Sequence, residues 1–361
     1  MSPEYSIERP FLKAPPRELC LLRLSALGDC THVVPVVRSL QAAWPQTRIT
    51  WIIGKLEHQL LGDLPGVEFV VVDKGRGRRA YSDLRPGRQF DVLLQMQVSL
   101  RASLLGLQVS VRRRLGFDRQ RARDLQWLFT HHRIAHRPRE HVLDGFFGFA
   151  EALGVRERVM RWDIPVPEAA RTWADAHLPA DRPWLAINPC SSARFRNFRN
   201  WATERYAAVA DHAAEQHGMG IVLTGGPTDL EREYGEAITA QCRHPVINLI
   251  GRTDLKQLLA VLDRARSLIS PDSGPAHMAN AMGTPVIGLY AGSNPDRTGP
   301  YCSRQWVVNK YPEACQAAFG KPPEAVRWGR RIREPDVMER ITVAEVTERL
   351  DALVRASRSD G

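Results

Sequence analysis

The feature of this sequence that most constrains its fold is a repeated alternation of short apolar runs with longer segments of helical periodicity. The runs Glu18–Leu24 and Val67–Val72 have the length and the apolar content of buried strands. Residues Thr31 to Trp44 follow the first run, and their apolar side chains recur at helical spacing. Because strands that alternate with helices pair into parallel sheets, the sequence predicts an α/β fold.

The alternation runs through the chain in two series, and a length of 361 residues is sufficient for two domains. The stretch from Ile164 to Pro183 is rich in proline and alanine, and we interpret it as a connection that contains one helix. We therefore predict a first domain over residues 1–168 and a second domain over residues 183–335. Residues 336–361 include an amphipathic segment, Thr342 to Arg355, which predicts a C-terminal helix.

The clearest β-α unit lies in the second domain. Ser267 to Ser270 is predicted to be a strand, and a turn then leads into a helix from Pro275 to Met282. A proline just inside the start of a helix and a glycine just past its end, here Gly283, is the expected asymmetry. Other elements of this domain are predicted in the same way: strands at Trp184–Asn188, Gly220–Thr224, Val246–Ile250 and Pro285–Tyr290, and helices at Thr203–His217 and Lys256–Ala265.

The net charge of +10 is concentrated in the first domain. Residues 101–139 hold ten arginines against two acidic residues, and a second basic cluster spans Lys74 to Arg88. Such a surface fits phosphates on a lipid-linked acceptor or an anionic membrane face. An arginine-rich surface without a ligand stays open as an alternative, since the whole chain has only six lysines. Nucleic-acid binding is not expected, because the stretch lacks regular aromatic interleaving and any RNA- or DNA-binding motif.

Other features bear on the compartment in which the protein works. No apolar run reaches the length of about 18 residues that a membrane span needs, and the first thirty residues lack the pattern of a secretory signal. The six cysteines are scattered, without a CxxC pair or zinc-ligand spacing, and we predict buried thiols in a reducing compartment. We therefore expect a cytoplasmic protein without a metal site.

Loops that follow strands are the places to look for chemistry, because ligands of open parallel sheets bind at the carboxyl ends of the strands. In the first such loop, Gly28 permits a tight turn and Asp29 comes close to the start of a helix. A helix N-terminus favours a charged carboxylate, which suits a general base. The alternative is an ordinary helix-capping aspartate.

Three loops of the second domain carry the other candidate residues. The turn from Asp272 to His277 could hold a pyrophosphate on free backbone amides, or it could be a capped turn with His277 packed against the sheet. The loop Thr224 to Asp229 permits a close backbone approach, and Asp229 could bond ribose hydroxyls. The loop Asn188 to Trp201 is rich in serine and arginine, which suits a phosphate clamp and would equally suit a solvated basic turn.

Taken in order, these four loops resemble those of glycosyltransferase family 9, the lipopolysaccharide heptosyltransferases. The resemblance spans most of residues 18–300, and it is carried by LSALGD, NPCSSARFRNFRNW, LTGGPTD, SPDSGPAHMANAMGTPVIGLY and AGSNPDRTGP. It implies a GT-B fold, in which two Rossmann-like domains face each other across a cleft and the terminal helix crosses back to the first domain. It also implies an inverting, metal-independent transfer with no cofactor, in which the nucleotide sugar is a co-substrate and ADP-heptose is the expected donor.

The resemblance also assigns roles to individual residues. Asp29 stands where the family has its catalytic base, and Arg199 stands where a lysine is usual. Arg101 and Arg123 lie in the region that binds the anionic acceptor, so the first domain is expected to bind it. Together with the loops above, the resemblance predicts the following donor-binding and nucleotide-binding residues: Ser191, Arg199, Gly225, Asp229, Asp272, Ser273, Gly274 and His277.

The expected partners are a nucleotide sugar and an anionic lipid-linked saccharide, with a peripheral contact at the cytoplasmic face of the inner membrane. Two alternatives stay open: a GT-B transferase or related epimerase that uses another nucleotide sugar, and a non-catalytic anion-binding module. A dehydrogenase is a weaker candidate, because no GxGxxG follows the first strand. The segment Tyr301 to Pro335 carries no motif that indicates a role.

Overall fold

The computed structural model describes residue 12 and residues 14–73, 88–191 and 197–359. The chain divides into two compact units, Met1–Trp162 and Asp163–Gly361. Most of the predicted basic cluster from Lys74 to Arg88 lies outside the described residues, as do residues 192–196 of the serine- and arginine-rich loop. The predicted boundaries at residues 168 and 183 bracket a helix that belongs to the second unit.

The first unit is built around one parallel sheet. Its strands are β1 Glu18–Leu22, β2 Arg48–Gly54, β3 Val67–Val72, β4 Phe90–Gln95, β5 Val111–Gly116 and β6 His132–Arg133. Its helices are α1 Leu27–Ala43, α2 Lys55–Leu61, α3 Leu100–Gln108 and α4 Val142–Leu153. The strands lie in the order β3-β2-β1-β4-β5-β6, and β1 pairs in parallel with both β2 and β4. The side chains of Leu19 and Leu21 on this central strand are fully buried, as its apolar sequence predicts.

The second unit repeats this topology. Its strands are β7 Trp184–Ile187, β8 Gly220–Leu223, β9 Val246–Asn248, β10 Ser267–Pro271, β11 Val286–Tyr290 and β12 Val308–Asn309. Its helices are α5 Glu168–His177, α6 Thr203–His217, α7 Asp229–Gln241, α8 Leu255–Arg264, α9 Gly274–Met282, α10 Pro295–Thr298, α11 Tyr311–Phe319 and α12 Val343–Ser359. The strands lie in the order β12-β11-β10-β7-β8-β9, so the segment after Tyr301, which has no sequence motif, supplies an edge strand and a helix.

Both sheets have the Rossmann strand order, with the first strand of each unit paired to the fourth. After β1 and β7 the chain proceeds to one side of its sheet, and from β4 and β10 it proceeds to the other. The loops that follow these paired strands diverge at the point where the order reverses, and ligands bind in the crevice that this reversal creates. The topology therefore selects the loops after β1 and β4 in the first unit, and those after β7 and β10 in the second.

The start of α1 differs from the prediction. The helix begins at Leu27 rather than at Thr31, so that Gly28 and Asp29 lie in its first turn, and the amide of Cys30 donates to the carbonyl of Ala26 at 2.9 Å. Apolar periodicity could not show this turn, because its residues are mostly small or polar. The predicted base is thus part of the helix rather than of the preceding loop.

The C-terminal helix α12 packs in the core of the second unit. Its side chains Val346, Leu350 and Leu353 are buried in the cluster that also contains residues of α6 and β11. The predicted apolar face is confirmed, and the return of this helix to the first domain stays a prediction. At the edge of the α6 contact, Nε2 of His212 and Nε2 of His217 lie 2.8 and 2.6 Å from one carboxylate oxygen of Asp351.

Four of the six cysteines are buried, which confirms the prediction for Cys20, Cys30, Cys190 and Cys315. It is wrong for Cys302, whose side chain is exposed, and Cys242 is half-buried. Burial, together with the nearby charge of Asp211, raises the pKa of the Cys242 thiol to about 11. None of the described helices is both long enough and apolar enough to cross a bilayer.

Replacing Asp351 by asparagine is expected to lower the free energy of unfolding by about 1 kcal/mol at neutral pH, because a charged acceptor of two bonds is lost at a partly exposed site. Burial raises the pKa of Asp351, but the hydrogen bonds and charges of His212 and His217 outweigh it, and the pKa lies below its ordinary value. A lowered carboxyl pKa stabilises the fold above the ordinary value of about 3.9, and this stabilisation is lost as the pH falls through the lower folded-state value.

Urea unfolding of both proteins at pH 7 and at about pH 3 measures this effect. The difference in stability should be present at pH 7 and should shrink at pH 3. Glu348, an exposed acidic residue of the same helix, provides the control, and Glu348→Gln should change stability at neither pH. An Asp351→Asn penalty that is the same at both pH values would contradict the assigned role of the carboxylate charge.

Candidate active site

The loop after β1 places an arginine–aspartate ion pair at the switch point of the first sheet. Arg23 follows β1 directly, and its guanidinium pairs with the carboxylate of Asp29. Nη1 of Arg23 donates to the carbonyl oxygen of Met96, which follows β4, at 2.7 Å. The Arg23 guanidinium also lies over the ring of Phe146, 5.2 Å from its centroid. The buried Arg23 side chain therefore joins the two segments that flank the switch point.

Gln97 holds the same loop from the β4 side. Its Oε1 accepts hydrogen bonds from the backbone amides of Leu24 and Ser25 at 3.2 and 3.3 Å. The end of β4 is bonded in turn to Gln126, whose Nε2 donates to the carbonyls of Gln95 and Gln97 at 2.9 and 3.0 Å. These bonds make one network, so that the backbone beside the ion pair is fixed from two directions.

Asp29 combines a fixed position with access to solvent. Its side chain is 37% exposed, whereas that of Arg23 is 8% exposed. The ion pair uses Oδ2 of Asp29, and Oδ1 accepts no hydrogen bond within the described residues. A carboxylate that is held by one oxygen and open at the other can accept a proton from a bound hydroxyl, which is the geometry that a general base requires.

The two predicted acceptor-binding arginines lie in neighbouring segments of the first unit. Arg101 is in the first turn of α3, Arg123 is in the loop before Gln126, and both are exposed. The amide of Leu100 donates to Oδ2 of Asp124 at 3.2 Å, and this bond joins the residues next to the two arginines. Because α3 starts after β4, both cations lie on the carboxyl side of the first sheet.

Part of the basic stretch 101–139 is used within the first unit. Arg121 pairs with the carboxylates of Asp118 and Glu140, and His136 lies 2.9 Å from Asp118. Burial raises the pKa of Asp118, but the bonds from Arg121 and His136 outweigh it, so that the pKa lies below its usual range. The surface that can meet a ligand is therefore smaller than the arginine count alone indicates.

The switch point of the second sheet holds a buried ion pair. Nη1 of Arg199, from the loop after β7, lies 2.7 Å from Oδ2 of Asp272, which follows β10. The same nitrogen donates to the carbonyl of Asp272 at 3.0 Å, and Nε donates to Oδ1 of Asn197 at 2.7 Å. The two side chains are only 10% and 9% exposed. Because a buried charge without its partner is unstable, the pair ties the two loops together.

Ser191 lies in a polar cluster that extends from this pair. Oδ1 of Asn200 accepts from the amide of Ser191 at 2.9 Å, and Nδ2 of Asn197 donates to the Ser191 hydroxyl at 2.5 Å. Since Asn197 also bonds Arg199, the cluster and the ion pair form one network. The structure thus brings together the predicted residues Ser191, Arg199 and Asp272.

The first backbone amides of helix α9 receive no capping hydrogen bond from the N-cap side chain. The N-cap residue is Ser273, and its hydroxyl lies 2.7 Å from the hydroxyl of Ser270 instead. Gly274 and His277 follow in the first turn, and Asp272, Ser273 and His277 are each 8% exposed. Uncapped amides at a helix N-terminus carry partial positive charge and bind anions.

The loop after β8 uses a carboxylate that sequence reasoning did not single out. Asp229 begins α7 with a side chain that is 94% exposed. Glu231 instead closes the turn next to Gly225, because its carboxylate accepts from the amide of Gly226 at 2.8 Å and from the hydroxyl of Thr228 at 2.6 Å. The Thr-x-x-Glu spacing at Thr228 is the signature of a capping box, and this signal could have identified Glu231.

Arg331 is a second cation beside the buried pair, and the sequence did not indicate it as a site residue either. Its Nη2 lies 3.9 Å from Oδ2 of Asp272, and its side chain is 39% exposed. The next residue, Ile332, donates its amide to the carbonyl of Gly292 at 2.9 Å, which ties this segment to the end of β11. The position of Arg331 depends on contacts between residues far apart in sequence, so no local motif marks it.

The described residues contain one group with metal-ligand chemistry, formed by His212, His217 and Asp351, whose ligand atoms lie within 4.8 Å of one another. Helices that follow parallel strands run back along the sheet, so the end of α6 lies at the amino edge. The group is therefore at the opposite edge from Arg199. Its bonds join α6 to α12, and it is separate from the candidate active site.

The sequence is similar to those of known heptosyltransferases. The sequence profile of glycosyltransferase family 9 (heptosyltransferase) matches residues 80–328. The lipopolysaccharide core heptosyltransferase OpsX of Haemophilus influenzae is 40% identical over 347 residues, which cover 95% of this chain and 99% of that protein. Lipopolysaccharide heptosyltransferase 2 of Escherichia coli is 24% identical, over 79% of this chain and 85% of that protein.

Solved structures show the same fold. A family 9 glycosyltransferase from Veillonella parvula superposes with a TM-score of 0.76 at 24% identity, covering 94% of this chain and 97% of that one. ADP-heptose lps heptosyltransferase II of E. coli gives a TM-score of 0.73 at 21% identity, covering 94% and 99%. These matches and the two Rossmann-like sheets confirm the predicted GT-B fold. The chain therefore belongs to glycosyltransferase family 9, the heptosyltransferases.

Proposed function

We propose that this protein transfers a heptose from ADP-heptose to the inner core of lipopolysaccharide or a related acceptor, with inversion at the anomeric carbon. The observation that carries the proposal is the second switch point, where Arg199 lies in a buried ion pair with Asp272, just before the uncapped start of α9. A nucleoside diphosphate is a ligand that such a site fits. The 40% identity to a lipopolysaccharide core heptosyltransferase supports the choice of sugar and acceptor.

The donor diphosphate is held by the start of α9 and by Arg199. Nε and Nη1 of Arg199 are engaged by protein acceptors, whereas Nη2 makes none of these bonds and can donate to a phosphate oxygen. Arg331 adds a second positive charge next to Asp272. Charge builds on the diphosphate as the sugar leaves, and fixed cations and amides stabilise it without reorganisation.

Asp29 is the general base of the proposed reaction. Its open Oδ1 takes the proton of the acceptor hydroxyl while that oxygen attacks the anomeric carbon of the heptose. The bond from this carbon to the diphosphate breaks, and ADP departs with the electron pair. Arg23 acts as a positioning residue, because it holds the carboxylate by its other oxygen. Attack from the face opposite the departing diphosphate inverts the configuration.

The remaining predicted residues take supporting roles in the proposal. Arg101 and Arg123 are exposed cations that suit the anionic groups of a lipid-linked saccharide. The exposed carboxylate of Asp229 is available for ribose hydroxyls, and Gly225 permits a close backbone approach. In this proposal the protein is cytoplasmic and works at the cytoplasmic face of the inner membrane, where a lipid-linked acceptor is presented. The transfer needs no metal ion and no nucleic acid.

Replacing Asp29 by asparagine is expected to lower the turnover number roughly 100- to 10,000-fold, because the acceptor hydroxyl then keeps its proton during attack. ADP affinity should stay near the wild-type value, since the nucleotide binds to the other unit. Release of ADP from ADP-heptose in the presence of acceptor measures turnover, and calorimetric titration measures affinity.

Asp144 provides a matched control for this variant. It is the third residue of its helix, as Asp29 is, and it pairs with an arginine, Arg158, at 2.6 Å. Asp144→Asn should keep near-full turnover. Near-full activity of Asp29→Asn, or an equal loss in both variants, would refute the assignment of the base.

Replacing Arg199 by lysine is expected to weaken ADP binding about tenfold. An ammonium group keeps the charge but donates from a single nitrogen, whereas the guanidinium reaches Asn197, Asp272 and a phosphate from three separate nitrogens. Thermal-shift titrations with ADP, UDP and GDP measure both this effect and the choice of nucleotide, and ADP should stabilise the wild type most. Arg205→Lys is the control, since its guanidinium bonds the carbonyls of Glu339 and Ile341 instead. Stronger stabilisation by UDP or GDP than by ADP would contradict ADP-heptose as the donor and would indicate a sugar linked to that other nucleotide.

A further inference from the structure

An exposed leucine face lies on the arginine-rich side of the first unit. Among the described residues, eight large apolar side chains are exposed, and five of these are leucines in two neighbouring segments. The five are Leu100, Leu104, Leu107, Leu125 and Leu128, which are 50%, 49%, 51%, 56% and 60% exposed. Clustered apolar exposure of this kind marks an interaction surface, whereas isolated exposed leucines need no explanation.

Three of these leucines form one stripe on α3. Leu100, Leu104 and Leu107 recur at the i, i+4, i+7 spacing of a single helix face, and they are all half exposed. The opposite face, which includes Ala102 and Leu105, is buried in the core of the first unit. A surface helix ordinarily turns polar residues outward, so the outward stripe of α3 has the apolar character that a buried face would have.

The other two leucines extend this stripe through a defined contact. The amide of Leu100 bonds the carboxylate of Asp124 at 3.2 Å, and Leu125 follows Asp124 directly. The amide of Leu128 bonds the carbonyl of Leu125 at 2.9 Å, so the two leucines belong to one tight turn. We call these five residues the leucine face.

Arginines surround the leucine face. Arg101 is next to Leu100 on α3, and Arg123 lies two residues before Leu125; both are exposed. Arg119 lies over the ring of Trp127 in the same turn, 4.8 Å from its centroid, and Arg133 donates to the Trp127 carbonyl at 3.4 Å. Two acidic residues lie between the leucine segments in sequence. Asp118 is buried and pairs with Arg121 and His136, and Asp124 accepts the Leu100 amide bond.

We infer that the leucine face docks the protein onto an anionic phospholipid bilayer. Apolar side chains that enter the boundary between headgroups and acyl chains, with arginines around them at headgroup level, are the two features of interfacial binding. The arginine rim selects this occupant, because a second copy of the same surface would bring like charges together. The inference rests in part on the proposed function, since a lipid-linked acceptor would be presented at such a surface.

Co-sedimentation with vesicles tests the inference. Wild-type protein should bind vesicles of phosphatidylethanolamine and phosphatidylglycerol, and should bind phosphatidylcholine vesicles weakly. The double variant Leu104→Glu/Leu107→Glu should lower the partition coefficient at least about tenfold, because two apolar groups no longer enter the bilayer and two negative charges face it. Raising the salt concentration should weaken wild-type binding, because the arginine contribution is screened.

Two leucines elsewhere on the protein provide a matched control. Leu56 and Leu230 are 51% and 40% exposed, and they lie on α2 and α7. Leu56→Glu/Leu230→Glu adds the same charge and should bind vesicles almost as well as the wild type. Equal loss in both double variants would show a general charge effect and would overturn the inference. So would a wild type that does not bind anionic vesicles, or one that dimerises through the leucine face.

Transfer to a soluble acceptor separates this inference from the proposed function. The Leu104→Glu/Leu107→Glu variant should transfer to a short-chain soluble acceptor at the wild-type rate and should lose rate on acceptor embedded in vesicles. A wild type that binds anionic vesicles but transfers to neither acceptor would refute the proposed function and leave the docking surface standing. Equal rates of wild type and variant on embedded acceptor would overturn the docking role.

Discussion

The buried ion pair between Arg199 and Asp272 is the interaction on which the second unit's site depends. It joins the loop after β7 to the turn after β10, at the one place in the sheet where neighbouring strands send the chain in opposite directions. Removing one partner of such a pair costs about 3–5 kcal/mol, because the other charge stays buried and unpaired. The pair therefore fixes the backbone around Ser273, and the amides of α9 stay in place to meet an anion.

The first unit also has an arginine–aspartate pair at its switch point, but the carboxylate of this pair is more exposed. Arg23 is as buried as Arg199, but its partner Asp29 is more than one-third exposed. The buried guanidinium in each unit ties together the loops on the two sides of a switch point. In the second unit the carboxylate is enclosed and serves structure, whereas in the first unit it is open and can serve chemistry. In the proposed function, one repeated fold supplies both the diphosphate site and the general base.

Local sequence predicted most of the fold and less of the site. Helix α6 has the predicted bounds, and Gly283 ends α9 in a left-handed conformation, with φ of 81°, as its position after the helix indicates. These features depend on neighbours in sequence. Arg331 and the exposure of Asp229 depend instead on which segments pack together, and the first turn of α1 lacked an apolar pattern. The sequence did not indicate that the leucine face is exposed, because the leucines of α3 have the spacing of an ordinary buried helix face.

Hydrogen exchange of the backbone amides, measured with and without ADP, tests most directly whether the second switch point holds the diphosphate. Bound ADP should slow exchange in peptides that cover residues 189–199 and 271–277, because the amides at the start of α9 and the loop that carries Arg199 would become protected. Unchanged exchange in both peptides, with protection confined to residues 23–30 of the first unit, would contradict the assignment of the nucleotide site.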